Sequence, residues 1–161
     1  MITEGTLAPP FRLPDHQGEV RTLADFTGRW LVLWWYPRAC SEVCSVQGRA
    51  LVPATGPLEE LGAAVVGASF DPPTENARFA EQEGIEFPLL SDETKAVGTS
   101  YQVLRSPDER FADTPRRITY LIDPQGVVRR AYLVTDAAGH GDQLVADLRE
   151  LTGATDQAGD R

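Results

Sequence analysis

Two cysteines, Cys40 and Cys44, stand four residues apart behind an apolar segment that ends at Pro37. Apolar residues recur with helical spacing from Cys44 to Leu51, so Cys44 is expected in the first turn of a helix that follows a buried strand. Free backbone N–H groups and the positive end of the helix dipole favour a thiolate at that position. Because the thiolate is the nucleophilic form of cysteine, this pattern predicts a reactive thiol at Cys44.

Other uses of the two thiols are weaker interpretations. A free cysteine is often only a small buried hydrophobic residue, and this alternative stands beside the reactive one for Cys44. Two cysteines are too few for a disulfide framework. With only His16 and His140 as further soft ligands, the two thiols also make a poor metal site.

The strands that must position Cys44 follow from apolar periodicity. Residues 30–36 are apolar on both alternating faces, as in a central strand that is covered on both sides. Residues 63–70 predict a second buried strand. Residues 118–123 and 127–134 flank a turn with Pro at its second position and Gly at its fourth, which predicts an antiparallel hairpin. A shorter hairpin is expected within residues 11–28.

Helices are expected between and after these strands. Proline and glycine residues between positions 53 and 57 should kink or break the first helix. A further helix is expected from Thr74, as its cap, to Gly84, and another over residues 94–101. The last helix is amphipathic and carries Leu144, Val145, Leu148 and Leu151. This order predicts an α/β fold with a mixed central sheet, helices on both of its faces and an N-terminal β-hairpin extension.

Length and charge limit the function classes. With 161 residues and 42% hydrophobic side chains, the chain fits one globular domain, expected over residues 1–153 and followed by a flexible polar tail at 154–161. Its 15 basic and 24 acidic side chains give a net charge of −9, which argues against nucleic acid and membrane surfaces as partners. Neither a leader nor a membrane-spanning segment is evident, so we expect a cytoplasmic protein.

The segment from Pro37 to Cys44, with Ser41 between them, resembles the P-x-x-x-[T/S]-x-x-C motif of peroxiredoxins. The likeness extends over most of the chain and includes Ala8-Pro9, Gly62 to Ser69, Phe87 to Asp92, Arg117 to Asp123 and Gly139-His140. The branch that the chain resembles is the Q-type, or bacterioferritin-comigratory, peroxiredoxins. This resemblance implies a thioredoxin-like fold and a thiol-dependent peroxidase that uses no metal, haem or flavin.

The resemblance also implies roles for the residues around the thiol. Cys44 would attack the terminal oxygen of hydrogen peroxide or of an alkyl hydroperoxide and become a sulfenic acid. Ser41 would hold the peroxide in line, and Pro37 would shield the product from water. Arg117 would favour the thiolate and stabilise charge on the leaving oxygen. Each has a plainer alternative: Ser41 as a helix N-cap, Pro37 as a strand terminator and Arg117 as a solvated charge beside Arg116.

The sequence departs from this branch at two positions. Relatives often have a resolving cysteine five residues after the first one, where this chain has Arg49, and they usually have Glu where it has Gln47. We expect Cys40 to resolve the sulfenic acid as an intramolecular disulfide with Cys44, which thioredoxin or another thiol reductant then reduces. The alternative is a one-cysteine enzyme that an external thiol reduces directly. Members of this branch are monomers or homodimers.

Functions of other classes occur on a related fold. A thiol-disulfide oxidoreductase would have Cys at position 41 and Pro at position 117, where this chain has Ser41 and Arg117. A copper metallochaperone would use the C-x-x-x-C spacing of Cys40 and Cys44, but it also needs a His before the late hairpin, and residues 104–117 contain none. A peroxiredoxin scaffold that oxidises one particular metabolite also stays open, because fold and thiol do not name a substrate.

Overall fold

In the computed structural model, residues 1–153 are described, and they form seven β-strands and five α-helices. The strands are β1 (Arg12–Pro14), β2 (Val20–Thr22), β3 (Trp30–Trp35), β4 (Ala63–Ser69), β5 (Leu89–Ser91), β6 (Ile118–Ile122) and β7 (Val128–Leu133). The helices are α1 (Glu42–Leu51), α2 (Thr55–Glu60), α3 (Pro73–Glu83), α4 (Ala96–Ser100) and α5 (His140–Thr152). The tail that we expect at 154–161 lies outside the described residues.

A five-stranded mixed sheet in the order β5-β4-β3-β6-β7 forms the centre of the fold. β3 is the middle strand and runs parallel to β4 and antiparallel to β6. Every side chain from Leu31 to Trp35 is buried, so the predicted central strand is confirmed. The two predicted hairpins are confirmed as well: β6 pairs with β7 inside this sheet, while β1 and β2 form a separate two-stranded sheet.

Two apolar clusters cover the two faces of the central sheet. One contains Val32 and Trp34 from β3 together with apolar side chains of α1, α2, α3 and α5. The other contains Leu33 and Trp35 with side chains of the N-terminal hairpin and the segment around α4. Cys44 belongs to the first cluster, and its side chain is completely buried. Of the described helices, four therefore pack on the face of the sheet that carries the thiol.

The predicted break after the first helix is confirmed, because α1 ends at Leu51 and α2 begins at Thr55, whereas three finer helix boundaries differ from the prediction. Pro57 lies in the first turn of α2 and not in a break between helices. Backbone N–H groups of a first turn have no partner within the helix, so proline, which lacks this group, is tolerated there. The N-cap of α3 is Pro72 rather than Thr74, because Pro73 occupies the first helical position, for which its fixed φ is suited. α4 covers five residues and is shorter than the predicted 94–101. Among residues 1–153, no helix is long and apolar enough to cross a membrane.

The packing of α5 against α1 requires a glycine at the second position of α5. A Cβ atom on Gly141 would lie 2.6 Å from the backbone carbonyl oxygen of Ala50, which cannot rotate aside as a side chain can. We therefore expect Gly141→Ala to lower the free energy of unfolding by about 1–3 kcal/mol in a urea titration. The control is Gly56→Ala in α2, since nothing lies within 4 Å of its Cβ position. Equal stability of Gly141→Ala and the wild type would contradict this description of the helix contact.

Candidate active site

Cys44 is the third residue of α1, and only residues 36–41 connect this helix to β3. Ser41 is the N-cap residue, with extended backbone angles, and its carbonyl oxygen accepts the N–H of Ser45. The hydroxyl of Ser41 makes no capping hydrogen bond to the first turn. The buried thiol of Cys44 therefore lies in the first turn of α1, where backbone N–H groups have no partner within the helix. The Ser41 hydroxyl is available to another partner.

Arg117 reaches the thiol from the neighbouring strand. The register of β3 with β6 pairs Trp35 with Ile118, so Arg117 stands at the end of β3 where the chain turns toward α1. Its Nη1 donates to Sγ of Cys44 at 3.4 Å and to Oε1 of Gln47 at 2.9 Å. A guanidinium keeps its charge at any ordinary pH, so a permanent cation lies beside the sulfur atom.

Arg116 does not approach the thiol. Its guanidinium donates two hydrogen bonds to the carboxylate of Glu109, at 2.6 and 3.0 Å, and a third to the carbonyl oxygen of Leu104. Successive side chains of an extended segment point to opposite sides. For this reason only one of the two adjacent arginines can face α1.

Gln47 is a site residue whose function our sequence analysis missed. It lies one helical turn after Cys44, on the same face of α1, and its side chain is completely buried. Its Oε1 accepts from Arg117, while its Nε2 has no hydrogen-bond partner among the described residues. The neutral amide of Gln47 holds the guanidinium of Arg117 without compensating its positive charge. A Glu carboxylate at the same position would compensate that charge. The signal in the sequence was the three-residue spacing from Cys44.

Cys40 lies in the connection before α1 and not in the helix itself. Its backbone has a φ of 65°, in the left-handed region that costs a non-glycine residue about 1–3 kcal/mol. The side chain is partly buried against the first apolar cluster. Burial raises the pKa of Cys40 above the ordinary value of a thiol, and the carboxylates of Glu75 and Asp71 raise it further, although Arg78 opposes them. Cys40 is therefore in its thiol form at neutral pH.

Side chains of the β4–α3 region hold the connection that carries Cys40. Oδ2 of Asp71 accepts the backbone N–H of Ala39 at 2.8 Å. The Tyr36 hydroxyl donates to Oδ1 of Asn76 at 2.5 Å, and the Ser69 hydroxyl joins these two anchors by donating to Asn76 and accepting from the Asp71 N–H. The chain between β3 and α1 is thus fixed at two points by hydrogen bonds.

Burial keeps two other titratable side chains neutral, Tyr36 after β3 and His140 at the start of α5. Burial raises the pKa of Tyr36 well above its usual value, so its hydroxyl acts as a hydrogen-bond donor. Burial lowers the pKa of His140, the first residue of α5. The His140 ring lies within hydrogen-bond distance of Thr119 Oγ1 at 2.9 Å and of Gln143 Oε1 at 3.1 Å. These contacts tie the start of α5 to the central sheet.

A cleft of about 320 Å³ opens beside the start of α1. The structure brings three of the predicted site residues together around it, namely Pro37, Ser41 and Arg117. Cys44 is joined to the cleft through its contact with Arg117, whereas Cys40 is not among the described residues that line it. The remaining lining residues are Arg38, Glu42, Val43, Arg105, Phe111 and Thr114.

The described residues do not place further metal ligands around the two thiols. Within residues 1–153, no three His, Cys, Asp or Glu side chains form a group that could hold a metal ion. The copper-chaperone alternative therefore has no third ligand in the part of the chain that the structure describes.

The chain is similar in sequence and in structure to known proteins. Residues 5–131 match the protein-family model described as the AhpC/TSA family. Peroxiredoxin Bcp of Escherichia coli (strain K12) is 35% identical over 151 residues, which are 92% of this chain and 97% of the relative. The crystal structure of peroxidoxin BcpB from Mycobacterium tuberculosis is 28% identical, with a TM-score of 0.84 over 94% of this chain and 99% of the other.

A second similar structure belongs to a protein for which an activity is described. The bacterioferritin comigratory protein of Xanthomonas campestris is 26% identical, with a TM-score of 0.82 over 88% of this chain and 92% of the other. Alkyl peroxide reduction activity is described for that protein. The fold that the sequence resemblance implied is confirmed by both structures.

We expect Asp71→Ala to loosen the connection that carries Cys40. The Ala39 N–H loses a charged acceptor, and such a hydrogen bond contributes about 1.5–3 kcal/mol. In a Cys44→Ser background, alkylation of Cys40 by iodoacetamide should become about tenfold faster, as followed by mass spectrometry. Asp71→Asn removes the same charge but keeps an acceptor, so it should have a smaller effect. Both variants remove the charge that raises the pKa of Cys40, so the excess rate of Asp71→Ala over Asp71→Asn reports the lost hydrogen bond. Equal rates in the two variants would contradict a role of this hydrogen bond in holding the connection.

Proposed function

The chain belongs to the AhpC/TSA family and is a thiol-dependent peroxidase of the peroxiredoxin kind, and we propose that Cys44 is its peroxidatic cysteine. The observation that carries this proposal is the hydrogen bond from Arg117 Nη1 to Sγ of Cys44. A thiol that only filled space in the core would need no cation beside it. A guanidinium at 3.4 Å is what a thiolate nucleophile requires.

In the proposed reaction, the Cys44 thiolate attacks the terminal oxygen of a hydroperoxide. The S–O bond forms as the O–O bond breaks, the sulfur is oxidised to a sulfenic acid, and the other oxygen takes up a proton and leaves as water or an alcohol. The Ser41 hydroxyl, which makes no capping hydrogen bond to α1, binds the peroxide and aligns it. Arg117 stabilises the charge that develops on the leaving oxygen, and Pro37 limits the access of water to the product.

The cleft supports both small and alkyl hydroperoxides as substrates. Hydrogen peroxide needs only the polar groups of Ser41 and Arg117, while the side chains of Val43 and Phe111 offer apolar surface to an alkyl group. The activity described for the Xanthomonas campestris relative agrees with this reading of the cleft. Hydrogen peroxide and alkyl hydroperoxides are therefore the proposed substrate class.

Cys40 is the proposed resolving cysteine. Its thiolate attacks the sulfur of the Cys44 sulfenic acid, the S–S bond forms, and the hydroxyl group leaves as water after protonation. Thioredoxin or a similar dithiol then reduces this disulfide and is itself oxidised. The short connection with its strained φ at Cys40 supports the local movement that this step needs. If Cys40 does not react, the enzyme works with one cysteine and an external thiol attacks the sulfenic acid.

The proposed setting is a reducing compartment, the cytoplasm, because both cysteines act as free thiols in this cycle. The chain would work there as a monomer or a homodimer.

Peroxide consumption by the wild type and by Cys44→Ser tests the catalytic assignment. With a thioredoxin system as the electron source, we expect the wild type to consume hydrogen peroxide and Cys44→Ser to show no activity above background. Mass spectrometry of the oxidised wild type should show a Cys40–Cys44 disulfide. Cys40→Ser is the matched variant: it should still form a sulfenic acid at Cys44 but stop turning over with thioredoxin. Unchanged turnover of Cys40→Ser would support the one-cysteine alternative.

Disulfide formation is expected to accelerate as the pH rises. Burial and neighbouring carboxylates raise the pKa of Cys40, so at neutral pH only a small fraction of it is thiolate. Below the pKa, that fraction grows about tenfold for each pH unit. Rapid-quench mass spectrometry after one equivalent of hydrogen peroxide should show the disulfide appearing faster at each higher pH between about 6 and 9. A rate of disulfide formation that stays constant over this range would contradict attack by Cys40.

A further inference from the structure

We propose that the cleft beside Cys44 selects hydroperoxides with a carboxylate on a compact apolar body, and that Arg105 binds this carboxylate. The inference rests on the proposed function, because it narrows the substrate class of the same site. Three observations support it: the apolar wall of the cleft, the surplus of cations around it, and the bonding state of Arg105. Hydrogen peroxide needs neither the apolar wall nor Arg105 and remains a substrate.

The apolar wall is formed by Pro37, Val43 and Phe111. Val43 and Phe111 are 50% and 58% exposed, which is unfavourable for apolar side chains of this size. Phe111 also has a φ of 57°, and its carbonyl oxygen is held by two hydrogen bonds, from the N–H and the hydroxyl of Thr114. Arg110 covers its ring at 4.9 Å. A strained backbone that presents an aromatic ring to a cleft indicates contact with a ligand.

Charge around the cleft is opposite in sign to the charge of the whole chain. Three guanidinium groups and one carboxylate line it, from Arg38, Arg105, Arg117 and Glu42, although the chain has a net charge of −9. Arg38 is paired with the carboxylate of Asp113 at 3.8 Å, and Arg117 serves Cys44 and Gln47. A cleft with this balance attracts an anionic ligand rather than a cationic one.

Among the described residues, Arg105 is the cleft guanidinium that has a buried N–H group without a hydrogen-bond partner. Its Nη2 donates to the carbonyl oxygen of Pro115 at 3.3 Å, and its Nε is buried without a partner among the described residues. Glu109 interacts electrostatically with Arg105, but its carboxylate is already bonded by Arg116 and by the N–H of Ser106. The fork of donors on a guanidinium matches the two oxygens of a carboxylate, which makes a carboxylate the fitting ligand.

The volume of the cleft limits the rest of the molecule. At about 320 Å³ it is at the small end of ligand sites, so it holds a body of about one ring with short substituents. The peroxide group reaches toward Ser41 and Arg117, the ring lies on Val43 and Phe111, and the carboxylate meets Arg105. The carboxylate takes no part in the reaction, in which oxygen transfer to Cys44 proceeds as described above.

The test compares cumene hydroperoxide with the same molecule carrying a carboxylate in the para position. For the wild type, we expect kcat/KM to be about tenfold higher for the carboxylated substrate, as one charge-assisted hydrogen bond implies. In Arg105→Met, the ratio of the two kcat/KM values should fall to about one, while Arg105→Lys should keep part of the preference. Because both substrates are measured on the same variant, a general loss of activity cancels in this ratio.

Arg38→Met is the matched control, since Arg38 lines the same cleft but is already paired with Asp113. It should retain most of the preference. A wild-type ratio near one, or an Arg105→Met variant that keeps the full preference, would overturn the proposal while leaving the peroxidase assignment intact. Failure of the wild type to consume any of the peroxides, hydrogen peroxide included, would overturn both.

Discussion

The antiparallel register between β3 and β6 is the constraint on which the active site depends. Pairing Trp35 with Ile118 brings Arg117 to the end of β3, at the point where the chain turns toward α1. A slip of one residue would point Arg117 to the other side of the sheet and bring Arg116 in its place. All five side chains of β6 are buried, so such a slip would disrupt the core on both faces. Packing of the sheet therefore places the cation beside the thiol.

Although Cys40 and Cys44 are close in sequence, their surroundings have opposite charge. Cys44 lies beside a guanidinium that a neutral amide holds, so the charge of Arg117 is not cancelled locally. Cys40 lies where burial and acidic side chains oppose ionisation. This difference agrees with the roles that we propose, in which Cys44 reacts with the peroxide and Cys40 reacts only after the connection has moved. It arises because Cys44 contacts Arg117 at the start of β6, whereas Cys40 lies near the start of α3.

The connection between β3 and α1 meets two opposed requirements. To complete the cleft, it must keep Pro37 and Ser41 in place, and the bonds to Asp71 and Asn76 do this from the neighbouring β4–α3 region. The disulfide that we propose between Cys40 and Cys44 would require the same segment to leave this position. The left-handed backbone at Cys40 makes the closed form less stable than its hydrogen bonds alone would suggest. A small change in these anchors can therefore shift the balance between the two forms.

The sequence by itself determined the parts of the protein that depend on local chemistry. Periodicity and turn residues predicted the central strand, both hairpins and the last helix, and the contiguous motif from Pro37 to Cys44 is the basis for our prediction of a reactive thiol at Cys44. It did not predict β5, because three residues are too few for a periodic pattern. The resemblance indicated Arg117 as the partner of Cys44, but tertiary structure alone decided the 3.4 Å contact between these residues, which are 73 residues apart, and the exposed position of Phe111. These features depend on how distant segments pack, and no spacing along the chain encodes such a distance.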